Sequence, residues 1–151
     1  MLAFAGCSME DTTPGASDDL AALRDIVTIS IPVKSGHWEI FGTPEYNGGV
    51  PAPTDFTTLI AELGPADRAW IERDKHMSGK VHIVPEAARP WLNDQFRSWL
   101  AANRNTSVDL TSQPNCRQYE TSLKKTGKAV SGLVCAGSRG LLLYLTLSSS
   151  L

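Results

Sequence analysis

Residues 122–127 hold the most suggestive chemical strings in the chain. Ser122-Leu123-Lys124-Lys125 contains S-x-x-K, and Lys125-Thr126-Gly127 is K-T-G. Serine acylation by this pair needs the serine and lysine on a helix and K-T-G on a separate facing strand. Here both strings share Lys125 within one short stretch, so they cannot surround a substrate, and the match is coincidence. Gly137-Ser138-Arg139-Gly140 lacks the G-x-S-x-G spacing of a nucleophile elbow and reads as a turn. His37, His76 and His82 offer no i, i+4 pair and no Cys/His cluster. Solvated or structural roles are favoured over ligation, and neither metal nor cofactor is expected. Scattered carboxylates, Glu39, Glu45, Asp55 and Glu72, remain for acid–base hydrolysis, with His37 as a possible helper. That reaction requires two of them to converge in one cleft.

Binding is the stronger expectation. Residues 44–54 carry three prolines and a Gly48-Gly49 pair, which forbid helix or central strand. Long irregular segments of this kind often make contacts. Tyr46, Asn47, Gly48 and Gly49 are the expected contact residues, since tyrosine offers stiff area with a polar tip. Trp91 and Trp70 extend that surface, whereas Trp38 and Trp99 are read as core. Arg117, Lys124, Lys125, Lys128 and Arg139 gather on the C-terminal hairpin. They would meet an acidic partner or anionic headgroups, or simply solvate the tip against edge pairing.

The elements that position these groups follow from periodicity. A helical turn at 20–23 precedes a β-branched strand over 26–31, stopped by Pro32. Strands are expected at 37–43, with Trp38 and Ile40 on one face, at 56–63 and at 80–84. Pro65 opens a short helix over 65–74, and Pro90 opens the main helix over 90–103. In the main helix Leu92, Phe96, Trp99 and Leu100 recur at i, i+4, i+7 and i+8, one stripe facing a core. Asn105-Thr106-Ser107 reads as loop. Residues 141–148 are apolar on both faces, as a central strand would be. The fold class is therefore α+β: an antiparallel sheet with a C-terminal three-strand meander packed against the 90–103 helix.

The hairpin before that last strand is read as 117–125 and 128–136, turning at Thr126-Gly127. Pairing Lys125 with Lys128 sets Tyr119 opposite Val134 and makes Cys116 a diagonal neighbour of Cys135. Both sulfurs then emerge on one side, and strand twist or a bulge at Asn115 closes a disulfide. The alternative is two free buried thiols. The length of 151 residues suits one domain, and 42% hydrophobic with 20% charged residues is globular composition. A net charge of −2 argues against a nucleic-acid partner, because phosphate neutralisation needs a basic surplus.

Cys7 is preceded by Ala5-Gly6 and followed by Ser8 and a polar, acidic stretch to Asp19. This arrangement resembles the lipobox of bacterial lipoproteins. The resemblance implies cleavage before Cys7 and acylation of its thiol, so residues 1–6 are a signal remnant. Residues 7–19 are then anchor and flexible tether, and 20–151 the folded domain. It also implies a cell-envelope location, where an oxidised cysteine pair and an acylated odd cysteine are mutually consistent. The expected function is a non-catalytic protein-binding module: an inhibitor, an immunity protein or an accessory subunit of an envelope complex. The alternatives are a small-ligand carrier, needing a pocket of roughly 300 Å³, and then the carboxylate hydrolase above.

Overall fold

The computed structural model describes residues 17–43, 56–64, 79–113, 115–137 and 140–149. The described elements are α1 (Leu20–Ile26), β1 (Ser35–Thr43), β2 (Phe56–Gly64), β3 (Lys80–Ile83), α2 (Asp94–Ala102), β4 (Thr106–Asp109), β5 (Cys116–Ser122), β6 (Ala129–Ala136) and β7 (Leu141–Ser149). Five strands form one antiparallel sheet in the order β1-β2-β7-β6-β5, and β3 pairs with β4 in a second, two-stranded sheet. The architecture is α+β, with the expected C-terminal meander β5-β6-β7. The expected 65–74 helix lies outside the described residues.

The sheet is coated on both faces because its middle strand is apolar on both. Leu141, Leu143, Leu145 and Leu147 point to one face and pack with Leu23, Val27, Ile31 and Val33. Leu142 and Tyr144 point to the other, into a core with Phe96, Leu100, Ile83 and Val108. Each buried aliphatic side chain contributes about 1.5–3 kcal/mol, so β7 is the axis of both cores. At Gly132 the strands run too close for any side chain, since a Cβ there would lie 1.8 Å from the Tyr144 carbonyl oxygen.

Four boundaries differ from the expectation. Helix α1 runs on to Ile26, and the β-branched stretch after it is no sheet strand. Only Val27 makes a bridge, to Leu123, because Val27, Ile31 and Val33 are consumed in covering the sheet face. Helix α2 starts at Asp94 instead of Pro90, since the Asn93 side chain accepts from the Phe96 N–H and so caps it. Its stripe is otherwise as expected, with Phe96 and Leu100 buried and Trp99 half-buried. Residues 106–109, at the stretch read as loop, form β4 against β3. The β5–β6 hairpin turns through four residues, 124–127, with the Leu123 N–H donating to the Lys128 carbonyl and Gly127 at φ 72°. Tyr119 consequently faces Gly132 instead of Val134. A slide of two residues keeps every side chain on its expected face.

Candidate functional site

The two-residue slide brings Cys116 directly opposite Cys135, and the two form a disulfide. No diagonal reach and no bulge at Asn115 are needed. The bond staples the edge strand β5 to β6 on the face that α2 covers. Beside it a pocket of about 120 Å³ is lined by Gln95, Phe96, Trp99, Asn115 and the disulfide. A dry cavity of about 150 Å³ holds one benzene ring, so this pocket accommodates a single side chain and not a carried ligand.

Trp91, the one expected contact residue among those described, sits against the outer strand β1. Its indole N–H donates to Glu39 Oε1 at 2.7 Å. Arg89 grips the same carboxylate with two bonds, Nε to Oε1 at 3.1 Å and Nη2 to Oε2 at 2.9 Å. The Arg89 guanidinium also lies over the Phe41 ring, 4.6 Å from its centroid. Sequence alternation places Glu39 and Phe41 on one face of β1, and Arg89 and Trp91 follow the turn of Pro85–Ala87. Side-chain exposures of 4% for Glu39 and 15% for Arg89 show a pair withdrawn from water. With both oxygens engaged by three donors, Glu39 acts as a fixed counter-charge that pins residues 89–91 to the sheet. It is not placed to take a proton from a substrate. Tyr46, Asn47, Gly48 and Gly49, with Glu45, Asp55, Trp70, Glu72 and His76, lie outside the described residues. The segment that carries the four contact residues leaves β1 at Thr43 and returns at Phe56, two paired positions.

Among the described residues no group of three His, Cys, Asp or Glu side chains is arranged to hold a metal. His37 and His82 are exposed. His37 faces Glu62 across β1 and β2, and both line an open groove of about 360 Å³ with Asp18 and Gly140. One Glu62 oxygen already accepts from the Asn93 N–H at 2.9 Å. The residues grouped as a basic hairpin also separate. Lys124, Lys125 and Lys128 are exposed at the tip, whereas Arg117 is buried near the other end of β5. Arg139 lies outside the described residues.

Sequence reasoning missed Tyr144, which holds the two sheets together. Its hydroxyl donates to the His82 carbonyl and accepts from the Val84 N–H, each at 3.0 Å. The Tyr144 side chain is fully buried. Burial pushes its phenol above the ordinary tyrosine value, outweighing the Val84 hydrogen bond that lowers it. A folded-state value raised above the unfolded one stabilises below the unfolded pKa of about 10 and is lost as pH rises through the folded value. The Tyr144 contribution is therefore expected to be fully present up to about pH 10 and to be lost above it. Tyr144→Phe should cost about 1–3 kcal/mol, because two buried backbone groups lose their partner, and should flatten that alkaline decline. Urea unfolding across the alkaline range checks both, and an unchanged decline in the variant would place its cause elsewhere. The only sequence hint was a phenol hydroxyl among the leucines of 141–145, which names no partner.

No protein-family model, curated protein or solved structure matches this chain. Among the described residues no helix is long and apolar enough to cross a membrane.

Proposed function

We propose that the chain is a small cell-envelope lipoprotein, anchored through an acylated Cys7, that binds another envelope or secreted protein without catalysing a reaction. The observation that carries this reading is the Cys116–Cys135 disulfide. Disulfides persist in oxidising compartments, and this one leaves Cys7 as the odd cysteine of three. An odd cysteine after Ala-Gly is the residue a lipoprotein would acylate. The site chemistry supports binding over turnover. The described carboxylate Glu39 is buried and already accepts three hydrogen bonds, two on Oε1 and one on Oε2. The same bonds fix Trp91 beside the strand that leads into Tyr46, Asn47, Gly48 and Gly49. Aromatic side chains held rigidly in this way are good contact residues, because little entropy is lost on docking. An inhibitor, an immunity protein and an accessory subunit all fit this description.

Expression in the native host, followed by membrane fractionation and mass spectrometry of the N-terminal fragment, tests the reading. Cys7 is expected to carry acyl mass, and Cys7→Ser should move the chain out of the membrane fraction. Cross-linking from membranes should then retrieve one partner in near-stoichiometric amount, lost on Tyr46→Ala. An unmodified Cys7 thiol in a reducing compartment would overturn the anchor, and a membrane-bound chain with no stoichiometric partner would overturn the binding role.

A further inference from the structure

We infer that the β5–β6 hairpin tip docks on an anionic phospholipid surface, so that the domain stands on its membrane in one orientation. This rests on the anchored reading only for bringing a bilayer within reach.

Charge is the first observation. Lys124, Lys125 and Lys128 fall within five residues and are all exposed at a four-residue turn. Among the described residues none of the three forms an ion pair; the ion pairs lie elsewhere, at Arg89–Glu39 and Arg97–Asp94. Asp25 shares with Lys125 an open groove of about 310 Å³ floored by Ile26 and Leu123. Three clustered cations with no ion pair among the described residues, on a chain of net charge −2, make an uneven field. Each lysine near an anionic leaflet contributes about 1 kcal/mol, so three favour the docked orientation by about a hundredfold at low ionic strength.

Chain direction is the second observation, independent of charge. Strand β1 runs from Ser35 to Thr43, and Thr43 pairs with Phe56, which pairs with Ser149. Ser122 pairs with Ala129 just before the tip. Thr43, Phe56, Ser149 and the lysine tip therefore share one end of the sheet. Ser17 bridges Trp38 in the antiparallel sense, through bonds of 2.7 and 2.8 Å. At Ser17 the chain is thus running away from the lysine end, and Trp38 is five strand positions, roughly 17 Å, from Thr43 at that end. Nine residues lie between Cys7 and Ser17, a reach of at most about 35 Å. That reach exceeds the distance from Ser17 to the lysine end, so a lipid on Cys7 can lie on the surface that the lysine tip addresses. The opposite end, with the Asp18–His37–Glu62 groove, faces away from the bilayer.

Lysine footprinting on vesicles tests the orientation without any variant. The disulfide leaves Cys7 as the available thiol, so the chain can be coupled there to a maleimide lipid. One vesicle set is phosphatidylcholine alone, and the other contains about one-third phosphatidylglycerol, a surface of strongly negative potential. A soluble acetylating reagent and mass spectrometry then report each lysine. On anionic vesicles Lys124, Lys125 and Lys128 should react at least about tenfold more slowly than Lys34, which sits at the opposite end of the sheet. The difference should vanish on phosphatidylcholine and shrink as salt is raised. Equal protection of Lys34 and the tip, or no dependence on phosphatidylglycerol, overturns the proposal. Because the coupling is chemical, either result stands whether or not the cell acylates Cys7.

Discussion

Arg89→Ala is expected to destabilise the protein by about 3–5 kcal/mol, the cost of leaving a buried carboxylate without its cation. Glu39 keeps only 4% of its side chain exposed, so water cannot replace the two guanidinium bonds. Glu39→Ala should cost less. It takes the carboxylate from the Trp91 N–H and from Arg89, which keeps its bond to the Glu86 carbonyl and, at 15% side-chain exposure, can reach solvent. The double variant should recover part of the loss, giving a coupling of about 1–3 kcal/mol in a double-mutant cycle. Urea unfolding midpoints of the four proteins measure this. Both single variants within about 1 kcal/mol of the parent would mean that the pair behaves as an exposed surface pair does. The same variants bear on function, because Glu39 is what holds Trp91. A partner interaction that survives Arg89→Ala and Glu39→Ala at a temperature where both are folded would remove Trp91 from the contact surface.

Loss of the disulfide is expected to cost about 3 kcal/mol, the chain-entropy value for a loop of this size. The sulfurs join residues 19 apart in sequence. Cys116→Ala with Cys135→Ala is the cleaner comparison, since a single replacement frees a thiol that can pair with Cys7. Strand β5 is an edge strand, held laterally by β6 alone along most of its length. Among the described residues its other side is paired near Ser122, where the Thr28 N–H donates to the Ser122 carbonyl. Amide exchange should therefore rise first at Arg117 and Tyr119, while the amides of β7 in the sheet centre keep their protection. A midpoint unmoved by reduction would mean that the bond constrains nothing in the unfolded chain.

The amino-acid pattern carries side-chain parity very well. Residues 141–148 alternate between two apolar sets, and that alone marks a strand covered on both faces and central to its sheet. The two faces of the β5–β6 hairpin were likewise legible, as was the Phe96–Leu100 stripe of α2. Parity survives a slide by two, so it could not distinguish a diagonal Cys116–Cys135 pair from a direct one. That choice lay with the turn, where a four-residue loop through Gly127 replaced the two-residue one. Propensity misled at 26–31, whose β-branched residues were better used as cover than as strand, because a sheet face already apolar on β7 gains more from burial than from another edge.

Alternation and helical spacing are properties of neighbouring residues, so α+β character, the faces of the strands and the availability of two cysteines for a bond were written locally. The grip of Arg89 and Trp91 on Glu39, the bridging of two sheets by Tyr144 and the common end shared by the lysine tip, Thr43, Phe56 and Ser149 were decided only in three dimensions. Each joins segments far apart along the chain through buried polar groups or strand order, and burial and strand order are set by the packed whole.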